Sequence, residues 1–380
     1  MEQNNLLILS NHYLTFVKDQ VEMLSTNFGN INALIRFNPA RKLFGYRSIV
    51  DTTPILPNVH ILTTPVLYLP LDRQYKRLGE KHYYATKKVI RNNYLTFNLI
   101  HAHFTWSAGY VGARLKEEYN VPLVVTAHGY DIYSLPFKDR EWREKIEYVL
   151  NTADHVITVS QSNLACINKL DVSTPVTVIP NGFRSDLFYP RDSSECRRVL
   201  NLPQDKKIIL TVGNLELIKG QKYLIEAIGE IIRNRKDILC IIIGVGKVRS
   251  NLEHQIQSLG LDGHIMLAGG KPHDEIPHWI NACDLFVLPS LNEGNPTVMF
   301  EALGCGKPFV GTKVGGVPEI IISDEYGLLV EPADPDDLAK KILAALDREW
   351  DREAILQYAE RFTWENIAKE ILGVYEQVLR

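Results

Sequence analysis

Two carboxylates and a lysine are the residues of this chain whose types and spacing could do chemistry. Glu293 and Glu301 lie eight positions apart inside the stretch Asp284 to Pro318. Between them, Asn295-Pro296 predicts a helix start, with Asn295 at the N-cap and Pro296 at the first helical position. The helix is expected over Thr297–Leu303, stopped by Gly304 and Gly306. Glu301 then sits roughly 6 Å along the axis from Thr297, at ~1.5 Å per residue. Glu293 stands before the N-terminus. A phosphate held by the amides near Pro296, Thr297 and Val298 would lie between two carboxylates able to accept hydrogen bonds from hydroxyls. A ligand with sugar, phosphate and ribose in a row fits that order. A loop acid and a helix-surface acid is the plainer account, and spacing alone leaves both open.

Lys219 ends the segment Val212-Gly213-Asn214-Leu215-Glu216-Leu217-Ile218-Lys219-Gly220. A strand expected to end at Gly213, with a cation just before the next helix, is a phosphate site in type. It lacks the GxxxxGK[ST] order of a P-loop, and a surface lysine in a turn is its plainer reading. Gly244-Val245-Gly246 closes the next apolar run; glycines there let a backbone approach a ligand, though a tight turn needs them equally. His128-Gly129-Tyr130-Asp131 follows PLVVTA, at a strand's carboxyl end. His101 and His103 alternate on LIHAHF and share one face, which favours hydrogen-bonded sheet histidines over a metal pair without a third ligand. Asp334, Asp336 and Asp337 before a helix are the usual cap and dipole arrangement rather than a metal motif. No metal site and no cofactor are expected.

The elements that must position these groups alternate. In the first half come strand LLILS, a helix over Phe16–Thr26, a loop-like stretch over 36–58, and a long helix near Arg73–Tyr94. Strands LIHAHF, PLVVTA, HVITVS and VTVIP follow, separated by helices. The rhythm breaks at Pro180-Asn181-Gly182. Residues 183–205 are polar, contain Pro190 and Pro203, and suit a linker. Strands KIILTVG, ILCIIIG, HIMLAG, DLFVLPS, PFVGT and GLLVE then alternate with helices, and an amphipathic helix runs from Trp364 to Leu379. Short apolar strands separated by helices predict parallel sheets built from βαβ units. The expected fold is α/β, two Rossmann-like doubly wound domains in tandem. Ligands would bind at the carboxyl ends of strands, in the cleft between the domains.

Composition agrees. A chain of 380 residues, 45% apolar, predicts two domains with sizeable cores. No apolar run approaches the ~18 residues of a membrane span, and Asn4-Asn5 leading into LLILS gives no expectation of a cleavable secretory signal. Five scattered cysteines (Cys166, Cys196, Cys240, Cys283, Cys305), none in a CxxC pair, point to a reduced cytosolic protein. The net charge of −3 hides 20 basic against 15 acidic residues in 1–185. Residues 36–91 alone hold 11 basic residues and three acids, interleaved with aromatic and leucine side chains. An anionic membrane surface, an anionic acceptor, or a solvated helix face would each account for that. Nucleic acid is not expected, because no binding module accompanies the charge.

From about Asn98 to Tyr375 the chain resembles the family-4 retaining glycosyltransferases of the GT-B fold. The resemblance rests on Glu293-x7-Glu301 in its context, with VGNLELIKG, GVGK, VTAHGYD, VIPNGF and Gly327-Leu328-Leu329-Val330 in the same order. It implies hexosyl transfer, with retention and without a metal, from a nucleotide diphosphate sugar (UDP- or GDP-linked) to an acceptor hydroxyl. The basic, aromatic stretch 36–91, rather than the resemblance, points to a glycan or lipid-linked acceptor in glycolipid, polysaccharide or envelope glycan synthesis, met at the inner face of the membrane. The resemblance also implies roles. Glu293, Lys219 and His128 would be catalytic, Glu293 on the hexose, Lys219 on the diphosphate and His128 lining the sugar side from the first domain. Gly213, Asn214, Gly244, Gly246, Asn295, Pro296, Thr297, Val298 and Glu301 would hold the donor, Glu301 by the ribose. The domains would be 1–185 on the acceptor side, 186–360 on the donor side, and a helix in 361–380 crossing back to the first. Two departures stand out. Asn214 replaces an arginine usual in the family, and SNHYLTFVKDQ replaces a glycine-rich loop after the first strand. An epimerase or hydrolase on the same fold, or a non-catalytic nucleotide-sugar-binding protein, are the other function classes open to this sequence.

Overall fold

The structure is a computed structural model, in which residues 4–13, 15–40, 56–69 and 71–380 are described. The chain divides into two compact units, one formed by Met1–Asn181 with Trp364–Arg380, the other by Gly182–Thr363.

The first unit is built on a parallel sheet of seven strands: β1 (Asn5–Ser10), β2 (Asn30–Phe37), β3 (Val59–Pro65), β4 (Leu99–His103), β5 (Leu123–Ala127), β6 (His155–Thr158) and β7 (Val176–Val178). Their order is β3-β2-β1-β4-β5-β6-β7. The second holds six parallel strands: β8 (Lys207–Val212), β9 (Ile238–Ile243), β10 (Ile265–Gly269), β11 (Leu285–Leu288), β12 (Phe309–Thr312) and β13 (Gly327–Val330). They run β10-β9-β8-β11-β12-β13. Each sheet reverses its winding at its first strand, the position where doubly wound sheets open a crevice beyond the strand carboxyl ends.

The strand sequences explain the layering. Side chains alternate across a sheet. Leu7 and Leu9 therefore enter one core of the first unit, and Leu6 and Ile8 the other. In the second unit Ile208 and Leu210 face one core, and Ile209 joins Cys240 and Ile242 in the opposite one. Strands covered on both faces need continuous apolar runs, which ILCIII of β9 and LVVTA of β5 supply.

The final helix, Trp364–Val378, belongs to the first unit. Trp364, Ile367, Ala368, Ile371, Val374 and Tyr375 form one buried stripe at helical spacing, packed with Val17, Val21 and Leu24 of helix Thr15–Leu24. Each large apolar side chain in that stripe contributes on the order of 2 kcal/mol by burial, as an upper figure. Tyr375 adds direction. Its hydroxyl lies 2.6 Å from Nδ1 of His101 on β4, and Gln20 Nε2 lies 3.2 Å from the same nitrogen. The other ring nitrogen, Nε2, lies 2.7 Å from Thr126 Oγ1, so both nitrogens of His101 have partners.

Several local expectations change. β2 and β3 do not emerge from the sequence pattern, because Asn32 and Arg36 interrupt the apolar run NINALIRF and polar residues interrupt VHILTTP. The stretch expected to be loop-like begins inside β2, and residues 41–55 lie outside those described. The long helix near 73–94 is two, Asp72–Lys76 and Leu78–Asn92. Residues 183–205 are not a linker. They contain helix Ser193–Val199, and Phe183, Phe188, Cys196 and Leu202 are buried in a core of the second unit. Their polar composition reflects the exposed side of a segment that lies over that core. Arg352–Glu360 adds a helix that the pattern does not suggest.

Candidate active site

In the second unit the loops after β8, β9, β11 and β12 are stitched into one structure. Leu215 N donates to Val245 O at 2.9 Å, and a Cβ on Gly246 would stand 2.1 Å from Leu215 O. Thus Gly213-Asn214 and Gly244-Val245-Gly246 form adjoining turns that tolerate no side chain at Gly246. Leu291 N donates to Ile218 O at 2.8 Å, tying the Lys219 turn to the end of β11. Lys219 closes the short turn Leu217–Lys219, and Gly220 follows at φ +66°, leading into helix Gln221–Ile231. On the other side, Gly315 at φ +53° lets its loop press on the Glu293 carbonyl, and Gly316 N donates to Gly294 O at 2.9 Å.

These loops bring Lys219 and Glu293 together across 74 residues of sequence. Lys219 Nζ lies 2.7 and 2.9 Å from the two carboxylate oxygens, and Ser290 Oγ donates to Oε1 at 2.6 Å. Thr312 Oγ1 in turn donates to Ser290 O at 2.5 Å, so β12 braces the loop. Glu293 is 8% exposed, which makes it a buried acid rather than a loop-surface one. A partly buried ion pair of this kind contributes little net stability, because desolvation offsets most of the attraction; removing one member is what costs.

The helix beside the pair runs Thr297–Gly304, one residue longer than expected, and its N-cap is Pro296 rather than Asn295. Proline offers no side-chain acceptor; the Met299 N–H bonds the Pro296 carbonyl at 3.1 Å, while those of Thr297 and Val298 depend on partners from outside the helix. They form a polar, positive end of the kind that suits an anion. Asn295, 8% exposed, lies just before the cap. Glu301, 4% exposed, points away from solvent, and its Oε1 is 2.9 Å from His273 Nε2. His273 follows β10, and the ring of Phe188 lies 5.1 Å from it. Sequence reasoning missed His273. Its signal was a histidine just past Gly269-Gly270 at another strand's carboxyl end. Asn214 is exposed, its carbonyl accepting from Gln221 Nε2 at 2.9 Å.

His128 belongs to the first unit, just past β5. Its Nε2 is 3.0 Å from His103 Nδ1, and the rings of Phe16 and Phe104 pack on it at 4.6 and 4.8 Å. One of the two imidazoles donates in that bond and the other accepts, and burial disfavours the charged form of both. Asp131 accepts from the backbone N–H groups of Thr105 and Gly129, and burial raises its pKa. His101 and His103 are hydrogen-bonded sheet histidines, stacked at 4.5 Å.

Burial depresses five described imidazoles of this unit: His82, His101, His103, His128 and His155, with His103 lowered to about 3. The unfolded chain takes up these protons below about pH 6.5 and the folded unit does not, so stability rises with pH through that window. Acidification from pH ~7.5 to ~5 should therefore lower the unfolding temperature, each histidine adding a slope of up to about 1.4 kcal/mol per pH unit. Thermal melts at the two values check this; an unchanged midpoint would mean that the histidines are protonated in the fold.

The model for glycosyl transferases group 1 matches residues 192–362, and that for glycosyltransferase family 4 matches residues 42–187. An uncharacterized glycosyltransferase of Methanocaldococcus jannaschii is 32% identical over 287 residues, covering 74% of this chain and 76% of that protein. The chain belongs to the group 1, family 4 glycosyltransferases. Sucrose-phosphate synthase of Thermosynechococcus elongatus aligns with this glycosyltransferase over 99% of both chains, with a TM-score of 0.82 and 25% identity. An Anabaena protein solved with UDP-glucose covers 99% of this chain and 100% of its own, with a TM-score of 0.75 and 22% identity, a likeness of fold. The fold class is GT-B, two parallel-sheet Rossmann-like domains. Among the described residues, no helix of this glycosyltransferase is long and apolar enough to cross a membrane.

Proposed function

We propose that this glycosyltransferase moves a hexosyl group from a nucleotide diphosphate sugar to an acceptor hydroxyl with retention at the anomeric carbon. One observation carries the reading: Lys219 Nζ clasps both oxygens of buried Glu293 beside the Thr297 helix N-terminus. The donor diphosphate would take Lys219 and the backbone N–H groups of Thr297 and Val298, just past Pro296, as partners, freeing Glu293 for hexose hydroxyls. Glu301, oriented by His273, would accept from the ribose hydroxyls. Gly213, Asn214, Gly244 and Gly246 form the adjoining turns that would let the donor approach the backbone. His128 is kept as the sugar-side group of the first unit on the family resemblance.

The bond from the anomeric carbon to the phosphate oxygen breaks, and its electron pair leaves with the diphosphate. The acceptor oxygen bonds to that carbon on the same face, and its proton passes to the departing phosphate. Lys219 and the helix amides stabilise the leaving charge by fixed position, which is electrostatic preorganisation, so the scheme needs no metal. The donor nucleotide is UDP or GDP, and the fold neighbour solved with UDP-glucose makes UDP-glucose the first donor to test. A thermal-shift panel of UDP- and GDP-hexoses decides the base, since saturation at 100-fold over Kd adds about 2.7 kcal/mol of apparent stability. NMR of the product then gives the anomeric configuration. An inverted product, or sugar released or epimerised at full rate without acceptor, would end this reading.

We further propose a glycan or lipid-linked acceptor of the cell envelope, met at the cytoplasmic membrane face. Arg73, Arg77, Lys81, Lys88 and Arg91 are exposed, close in sequence to exposed Leu67, Leu69, Leu71 and Tyr84. Not all the basic residues contribute. Arg36 is buried, bonding Ser107 Oγ at 2.8 Å, and Lys76 and Lys87 are held in ion pairs with Asp139 and Glu118. Reversing Lys81, Lys88 and Arg91 to Glu should abolish flotation with anionic liposomes, at about 1 kcal/mol per charge near the surface. Flotation equal to wild type would refute the membrane site.

A further inference from the structure

A cleft of about 370 Å³ lies at the amino edge of the first sheet, the edge opposite to His128. Asn5, Asn30, Asn32, His60, Tyr94 and Thr96 line most of it, and none of its lining residues is acidic, lysine or arginine. The first residues of β1 and β2 supply Asn5 and Asn30, and Asn32 pairs in register with His60 of β3. Part of the wall is preset: Asn5 Nδ2 donates to Thr96 Oγ1 at 2.8 Å, and Asn30 Nδ2 to Asn5 Oδ1 at 3.3 Å. Asn32 is different. It is 5% exposed, lines the cleft, and its amide has no hydrogen-bond partner among the described residues. A buried strand position chosen for stability alone would hold a β-branched apolar residue.

Tyr94 points to the same conclusion from the other wall. It is 90% exposed, so it buries almost nothing in the fold. It also takes φ +51° just past helix Leu78–Asn92, with its N–H on Arg91 O and the Leu95 N–H on Ile90 O. That is a Schellman C-cap, whose left-handed residue is ordinarily glycine. A tyrosine there serves neither burial nor backbone.

We infer that this cleft is a second carbohydrate-binding site, gripping a neutral glycan through amides that both donate to and accept from hydroxyls, with the Tyr94 ring stacking on a sugar face. The absence of charged lining residues disfavours an anionic ligand, and the amides disfavour an apolar one. Strands of five to six residues separate the two edges of the sheet by ~20 Å. A glycan held at both edges is therefore a chain of several sugars, not a single one. That the chain is the acceptor rests on the transfer reaction proposed above. Binding one part of it at the amino edge would raise its effective concentration at the reaction site.

Saturation-transfer NMR of the full chain with maltohexaose and cellohexaose, and 31P line broadening of pyrophosphate as the anionic control, test the cleft without activity. At least one hexasaccharide should bind. Tyr94→Gly should weaken it by about tenfold or more while leaving the melting temperature equal or higher, because glycine relieves the left-handed position. Asn32→Val should act likewise, and pyrophosphate binding should be unchanged in both. No hexasaccharide binding, or equal binding by both folded variants, overturns the inference. Turnover on long acceptors should fall in Tyr94→Gly with that on a monosaccharide acceptor unchanged. A protein that binds the hexasaccharide through Tyr94 yet transfers no sugar keeps the cleft and loses the transfer reading.

Discussion

Lys219→Ala should lower turnover by about 10²- to 10³-fold, the usual loss when one fixed group that stabilises developing charge is removed. Glu293→Ala should lose a comparable factor, because it takes away the carboxylate proposed for the hexose hydroxyls and also releases Lys219. The two losses should not add. Each residue holds the other in place, with Nζ 2.7 and 2.9 Å from the carboxylate oxygens, so the double variant should be little worse than either single one. Stability separates this from a merely structural pair. Lys219→Ala leaves a buried carboxylate with the Ser290 hydroxyl as its side-chain donor among the described residues and should destabilise the second unit by roughly 1–3 kcal/mol. The double variant should recover much of that stability while staying inactive, and addition of EDTA should leave wild-type turnover intact. Near-wild-type rates in folded single variants would sink the site assignment.

Gly220→Ala should be the most damaging small substitution in the second unit. Gly220 has φ +66°, and a Cβ there would lie 1.9 Å from the Pro289 carbonyl oxygen. The left-handed backbone alone costs an alanine about 1 kcal/mol, and the overlap with main chain adds about 1–3 kcal/mol. For a unit of this size the midpoint of unfolding should fall by roughly 5–10 °C. Function should fall further than stability. The Lys219 turn must move away from the end of β11, and a displacement near 1 Å at a positioning group costs about 10²-fold. Measuring the donor KM and kcat at a temperature where the variant is folded checks this, and a variant that melts early but turns over normally would show that Lys219 tolerates the shift. Gly315→Ala offers an independent push on the same pair, since its Cβ would meet the Glu293 carbonyl oxygen at 1.8 Å.

Much of the candidate site could be read in the chain because its parts are local. Strand, loop and helix N-terminus around Glu293 and Glu301 occupy one contiguous stretch, and short-range turn chemistry places Pro296 and Gly304 within a residue of their observed roles. The long runs ILCIII and LVVTA announced buried parallel strands for the same reason. β2 and β3 stayed hidden because their polar members are explained only by distant partners. Arg36 is buried against Ser107, and Asn32 opens into a cleft whose far wall is residues 93–96. Residues 183–205 looked like a linker because Phe183, Phe188, Cys196 and Leu202 are spaced too irregularly to show a period, yet each reaches one core.

By itself the sequence determined two α/β domains, the family resemblance, and a helix flanked by two acids with a lysine upstream. Periodicity and turn residues are properties of neighbouring positions, so these are legible without coordinates. Only the tertiary structure decided the partners. It joined Lys219 to Glu293 across 74 residues, gave Glu301 to His273 rather than to solvent, and turned Asn295 into the residue before the cap. It also took Arg36 and Lys87 out of the exposed basic face. Such pairings depend on which loops meet at the carboxyl ends of a sheet. That is fixed by strand order, a relation between segments distant in sequence that no local pattern encodes.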